Sequence, residues 1–201
     1  MTTKSSWFVK ANRMLRQLLG IAPPSPEDLP EDAILTNGAG NYSAWLHRYY
    51  RYRRWRTQLA PTSGSMGYGL PAAVAAKLAC PDRPVICLAG DGCFQMTMQE
   101  FGTACQYGAN IIVLVSNNGM YGTIRMHQEK NYPGRVSGTN MVNPDFAALA
   151  RSYGGHGETV TTTDAFPAAL ERAMAEARRR GRMRPRPLAI RTASSRQPAL
   201  Q

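Results

Sequence analysis

Two uninterrupted apolar runs stand out along the chain, Val85–Ala89 (VICLA) and Ile111–Ser116 (IIVLVS). Runs of that length without a polar alternation mark parallel strands covered on both faces. Between them Met98, Phe101 and Cys105 recur at helical spacing, which predicts a helix packed on the core. Ala33–Thr36 reads as a first strand, Tyr42–Arg53 as a helix, and Leu70–Leu78 as a helix with Pro71 in its first turn. Farther on, Asp145–Tyr153 and Asp164–Arg179 read as helices, and Gly157–Val160 and Leu188–Arg191 as short strands. Near the N-terminus, Ala11–Leu19 is a short helix candidate, and the proline-rich span Ala22–Pro30 reads as a linker. Successive strand and helix units of this kind imply an α/β fold, a doubly wound, mostly parallel sheet with helices on both faces. The chain shows no internal repeat.

A length of 201 residues suits one well-buried domain and is short for two. The predicted organisation is residues 1–30 as helix and linker, 31–192 as the α/β domain, and 193–201 as a flexible tail. Met1–Gly20 has cations scattered through it and lacks the apolar core of a secretion signal. No stretch approaches the roughly 20 apolar residues that span a bilayer. A cytoplasmic protein is expected. Cys80, Cys87, Cys93 and Cys105 form no CxxC pair and sit in or beside apolar elements, which predicts buried thiols rather than disulfides or metal ligands.

The net charge of +11 is concentrated in two places. His47–Arg56 (HRYYRYRRWR) holds five arginines and no acid, and Glu171–Arg196 holds nine arginines against two glutamates. Interleaved with Tyr49, Tyr50, Tyr52 and Trp55, the first stretch has the makings of a nucleic-acid surface, where cations meet phosphates and rings stack on bases. The competing reading is a solvated helix face with a domain-contact edge, and it is preferred. Nucleic-acid binding stays as an alternative function.

Chemistry concentrates at the predicted strand ends. Gly90, Asp91 and Gly92 close one apolar strand, and after 24 intervening residues Asn117 and Asn118 close the next. A carboxylate and an amide oxygen at neighbouring strand ends suit Mg²⁺, which takes six oxygens and completes its shell with water and phosphates. In doubly wound sheets ligands sit beyond the carboxyl ends of the strands, where Asn37, Asp91 and Asn118 fall. Gly38, Gly40 and Asn41 occupy a polar loop leading into a helix, and backbone N–H groups there make an anion cradle. The plainer alternatives are a helix cap at Asp91, an Asn turn and an ordinary glycine turn. A rival is the GxGxxA pattern of Gly67, Gly69 and Ala72, followed at Asp91 by an acid at the spacing of a dinucleotide's ribose ligand.

The GDG and NN motifs, together with Thr36–Trp45 (TNGAGNYSAW), Gly64–Ala73 (GSMGYGLPAA) and Asn143–Gly154 (NPDFAALARSYG), occur in an order that resembles the thiamine diphosphate (ThDP) enzymes. The likeness is to the branch of acetolactate synthases and related 2-oxo-acid decarboxylases, and it covers roughly residues 31–192. It implies a cofactor of ThDP with Mg²⁺. It places Ala39, Gly40, Asn41, Tyr42, Gly90, Asp91, Gly92, Cys93, Asn118, Met120 and Tyr121 around the diphosphate and its metal, and Gly64 and Met66 at the aminopyrimidine. Metal ligands by resemblance are Asp91, Asn118 and the carbonyl of Met120. Cys93 stands where the family often has a serine, and a thiol is the weaker donor. The Met66 side chain would support the bent cofactor, so that the protein supplies geometry and the cofactor the chemistry.

The same resemblance implies a lyase or transferase acting on 2-oxo acids by decarboxylation or carboligation. In that family the catalytic glutamate comes from a separate pyrimidine-binding domain, which this sequence does not resemble, so no catalytic residue is assigned. A pyrimidine-binding domain or subunit is therefore the expected partner, in a homo- or hetero-oligomer; the alternative is a truncated, inactive ThDP-binding module. His127 falls where acetolactate synthases tend to have a tryptophan, and Arg125 and His127 are candidates for binding a carboxylate, or else an exposed loop pair. His47 and His156 show no pairing pattern.

Overall fold

The computed structural model describes residues 29–180 and the strand at 188–193, with side chains through residue 177. Its strands are β1 (Ile34–Asn37), β2 (Gln58–Leu59), β3 (Val85–Gly90), β4 (Ile112–Asn117), β5 (His156–Val160) and β6 (Leu188–Ala193). They form one sheet in the order β2-β1-β3-β4-β6-β5, and every pair in it is parallel. The helices are α1 (Ser43–Tyr49), α2 (Gly69–Ala79), α3 (Asp91–Thr97), α4 (Glu100–Gln106), α5 (Gly122–Asn131), α6 (Phe146–Ser152) and α7 (Phe166–Arg180). The α/β doubly wound fold expected from the sequence is the fold observed.

The apolar runs are continuous because successive side chains of a strand point to opposite faces and both faces are covered. Leu35, Ile86, Leu88, Ile112 and Leu114 pack with Leu46 of α1 and with Phe166, Ala169, Leu170, Ala173 and Met174 of α7. The residues of opposite parity, Ile34, Val85, Cys87, Ala89, Val113 and Val115, pack with α2, α3, α4 and α6 through Leu70, Phe94, Phe101 and Phe146. Phe101 is buried in this second core, with Met98 and Cys105 packed partly against it, as their spacing predicts.

Strand order places the site. From β1 the chain runs outward to β2 and then returns past β1 to β3, so the winding reverses between β1 and β3. A crevice opens at such a reversal beyond the carboxyl ends of the two strands. Asn37 ends β1, and Gly90 ends β3. Helix α2 closes on this point: a Cβ on Gly69 would lie 3.0 Å from the carbonyl carbon of Asn37. The Thr36 hydroxyl donates to the Gly69 carbonyl at 2.7 Å.

Several local expectations are corrected. The helix expected over Tyr42–Arg53 stops at Tyr49, because Tyr50 turns extended, with φ −78° and ψ 130°. Tyr50 is buried in the first core and Tyr52 packs on it, their rings edge to face at 4.9 Å. Those two rings are turned to the interior and are not offered to nucleic-acid bases. Arg53 donates to the Leu29 carbonyl and to Glu31. The segment with Arg125 and His127, weighed as an exposed loop pair, is the helix α5. The N-terminal helix candidate, most of the linker (22–28) and the tail (194–201) lie outside the described residues. No helix of the described residues is long and apolar enough to cross a membrane, and none of the four cysteines is in a disulfide. Cys87 and Cys93 are buried as expected, whereas Cys80 and Cys105 are partly exposed.

Candidate functional site

Asp91 opens α3 directly where β3 ends, and its side chain is 3% exposed. A buried carboxylate needs donors, and three are supplied. Oδ1 accepts the N–H of Gly92 at 3.0 Å. Oδ2 accepts the N–H of Gly119 at 2.8 Å and Nδ2 of Asn143 at 2.6 Å. The carboxylate thus ties the end of β3 to the loop after β4 rather than capping its own helix, as the plainer reading had it.

The asparagine pair divides its work. Asn117 is buried and its Oδ1 accepts from Asn143 Nδ2 at 2.7 Å. Asn118 is exposed, and its Oδ1 accepts the N–H of Met120 at 3.2 Å. The Met120 carbonyl accepts the N–H of Gly122 at 3.0 Å. Asp91, Asn118 and Met120 therefore bring one carboxylate, one amide and one carbonyl oxygen to adjoining strand ends, all hard oxygen donors of the kind Mg²⁺ takes. Clusters of three or more His, Cys, Asp or Glu able to hold a metal are absent among the described residues, so a cation here would need amide and carbonyl oxygens beside the one carboxylate.

Two aromatic rings lie against the glycines that flank Asp91. A Cβ on Gly90 would come within 2.9 Å of the Tyr42 ring, and one on Gly92 within 2.7 Å of the Tyr121 ring. Only glycine fits at either place. Across the crevice, Gly40 has φ +150°, and a Cβ there would also strike the Tyr42 ring, at 2.8 Å. The Cys93 thiol donates to the Ala39 carbonyl at 2.9 Å, which ties the start of α3 to the loop after β1. The buried Tyr42 hydroxyl lies beside the Cys93 thiol and the Gly90 backbone but makes no hydrogen bond of good geometry with either. Burial drives its phenol well above the usual range, and the neighbouring Cys93 adds to this. Cys87, fully buried in the sheet, has its thiol pushed up to about 12 by the same desolvation and is chemically quiet.

The structure thus gathers Ala39, Gly40, Tyr42, Gly90, Asp91, Gly92, Cys93 and Tyr121 in one cluster. Asn41 reaches from it toward α5, its N–H donating to Thr123 Oγ1 at 3.1 Å. The Gly64–Gly69 turn is fastened to α3 instead, through Thr97 Oγ1 and the Gly67 carbonyl at 2.8 Å. Gly64, with φ +68°, has open space where a side chain would stand, and Met66 is half-buried. Arg125 pairs with Glu129 one helical turn on, at 2.9 Å, while His127 is exposed. His47 reaches Asn37 Oδ1 at 3.1 Å.

One residue was missed. Asn143 enters the sequence reading only as the first residue of the Asn143–Gly154 segment, yet it contacts Asp91, Asn117 and Gln95 at once. The signal open to a sequence reader was weak: a polar residue just before a proline and a helix is usually a turn.

Comparison with known proteins gives the following. The family described as "Thiamine pyrophosphate enzyme, C-terminal TPP binding domain" matches residues 38–183. The acetolactate synthase large subunit of Parasynechococcus marenigrum is 42% identical over 138 residues, which is 67% of this chain and 22% of that protein. The acetolactate synthase isozyme 2 large subunit of Escherichia coli is 35% identical over 144 residues, 71% of this chain and 26% of that protein. Among solved structures, the thiamine diphosphate-dependent 4-hydroxybenzoylformate decarboxylase of Rhodococcus jostii RHA1 superposes with a TM-score of 0.72 at 30% identity, over 85% of this chain and 31% of that one. The chain spans about a quarter of the length of these curated relatives.

Proposed function

Since the chain belongs to the thiamine pyrophosphate enzyme family and is the ThDP-binding C-terminal domain of acetolactate synthase-like enzymes, we propose that it holds the cofactor's diphosphate through Mg²⁺ at Asp91. The observation that carries this reading is the Asp91 carboxylate: buried at a strand end, flanked by glycines and left with acceptor capacity on Oδ1. The residues present fit the group. Asp91, Asn118 and the Met120 carbonyl would hold the cation. Ala39, Gly40, Asn41, Tyr42, Gly90, Gly92, Cys93 and Tyr121 would line the diphosphate, with Gly64 and Met66 toward the aminopyrimidine. When bound, the cofactor supplies the electron sink for cleaving and forming bonds next to a 2-oxo group.

The chain's own part is binding and orientation. Gly90 and Gly92 keep side chains out of the crevice, and the buried β3 end holds the carboxylate in place. We assign the domain to residues 31–192 and the whole enzyme's reaction to decarboxylation or carboligation of 2-oxo acids. No catalytic acid or base is assigned within this chain. The remainder of the active site comes from a pyrimidine-binding part of the assembly, and the bare surface of α5 is where that part would meet this one.

Calorimetric titration of ThDP with and without Mg²⁺, on the full chain and on Asp91→Ala, tests the reading. Binding that requires Mg²⁺ and disappears in the variant is the expected result. Equal binding with and without the cation, or retained binding in the variant, would sink it.

A further inference from the structure

We propose that Asn143 is a positioning residue that turns Asp91 into a one-oxygen ligand and so sets the site's preference for a small octahedral cation over a larger one; this rests on the ThDP and Mg²⁺ reading above. The Asn143 amide can face only one way. A carboxylate oxygen cannot donate, so the group 2.6 Å from Asp91 Oδ2 must be the NH₂. Its second proton goes to Asn117 Oδ1 at 2.7 Å. Its oxygen in turn accepts from Gln95 Nε2 at 2.7 Å. Both Nδ2 protons and the amide oxygen are thereby engaged, and Gln95, one turn into α3, fixes the orientation.

For Asp91 the consequence is an asymmetry. Oδ2 already accepts two donors, Asn143 and the Gly119 N–H, while Oδ1 accepts one, the adjacent Gly92 N–H. Only Oδ1 has capacity to spare. A carboxylate limited to one oxygen suits Mg²⁺, which demands near-ideal six-fold geometry, and suits Ca²⁺ less, because Ca²⁺ takes six to eight oxygens and often both of a carboxylate. Partners behind a metal ligand of this kind typically change metal affinity by about 10–100-fold when removed.

The test is ThDP affinity of the full chain measured by calorimetry in Mg²⁺ and, separately, in Ca²⁺, for wild type, Asn143→Leu and Gln95→Met. Leucine keeps the branched outline of asparagine, though it is bulkier, and removes both the donor to Asp91 and the acceptor for Gln95. Asn143→Leu should lose about tenfold or more in Mg²⁺ and clearly less in Ca²⁺, because Oδ2 is released to join the larger ion. Gln95→Met should shift the ratio the same way by a smaller factor. An equal loss with both cations would mean that Asn143 only braces the fold, and the proposal would fail while the cofactor reading stood. Unchanged affinities would overturn it too. Absence of ThDP binding by wild type with either cation would overturn the cofactor reading and this inference together. If Asn143→Leu does not fold, the cation ratio of Gln95→Met decides alone.

Discussion

Helices α3 and α5 begin from the ends of neighbouring strands and flank the same crevice, yet they are built in opposite ways. In α3 the first four residues, Asp91, Gly92, Cys93 and Phe94, are all buried. In α5 none of the ten residues is buried, and Ile124 and Met126 stand about half exposed. The α3 corner is stabilised wholly within this chain, by Phe94 in the second core and by the Asp91, Asn143 and Gln95 hydrogen bonds. The α5 side is held mainly at its ends and by polar contacts such as Arg125 with Glu129 and Gln128 with Ser137. A helix that is polar nearly all round and offers its few apolar residues to solvent gains little from its own domain. One flank of the crevice is thus buried within this chain, and the other is exposed.

Phe94 tests the self-sufficient flank most severely. Its ring meets that of Phe146 edge to face at 5.4 Å, joining α3 to the start of α6, so it steadies both Asp91 and the segment that carries Asn143. Phe94→Ala should destabilise the chain by about 3–5 kcal/mol, the usual range for a buried aromatic replaced by alanine. A urea midpoint that scarcely moved would show that this corner is not anchored as described.

Tyr42 gives a smaller effect of opposite sign. Its hydroxyl is buried with only poorly aligned neighbours, the Cys93 thiol and the Gly90 backbone, and an unsatisfied buried hydroxyl costs about 1–3 kcal/mol. Tyr42→Phe keeps the ring against Gly90 and removes that cost, so the midpoint should stay level or rise. Loss of about 1 kcal/mol or more, the size of an ordinary hydrogen bond, would mean that the hydroxyl has a partner in solution. On the bare flank, Ile124→Ser should change the stability of the isolated chain by no more than about 0.5 kcal/mol, as for other exposed sites. A larger loss would mean that α5 already packs on something.

The same contrast explains what was legible in the sequence. Strands β3 and β4 carry long apolar runs because both faces of the sheet are covered, and their ends announced Asp91 and the asparagine pair directly. Helix α5 (GTIRMHQEKN) has no apolar stripe, so no periodicity marked it. Strand β2 consists of two residues, too short for any pattern. The expected extension of α1 to Arg53 failed because Tyr50 and Tyr52 alternate toward the core as in a strand, a choice made by tertiary packing over local helix propensity. Asn143 lies 52 positions from Asp91. That pairing arises only once β4 and the loop before α6 lie beside β3, and neither spacing nor composition encodes it.

The smallest expected effect lies away from both flanks, at the edge strand β5. Glu158 pairs with Arg172 of α7 and lies 3.6 Å from His156 Nε2. The Arg172 hydrogen bond, chiefly, holds the Glu158 carboxyl below its ordinary value, against the opposing desolvation. A carboxyl whose folded pKa is depressed stabilises the fold above its unfolded value of about 4.3, and that contribution is lost as the pH falls through the lower, folded value. The thermal midpoint of wild type should therefore exceed that of Glu158→Gln slightly at neutral pH, and the gap should close in the acid range below about pH 4. Arg172 is solvent-exposed, so added salt should shrink the neutral-pH gap as well. A gap that persisted unchanged to pH 2 would mean that glutamine at this position acts through packing rather than charge. The pairing of β5 with α7 would then belong with the self-sufficient construction of α3 rather than with a solvent-screened surface.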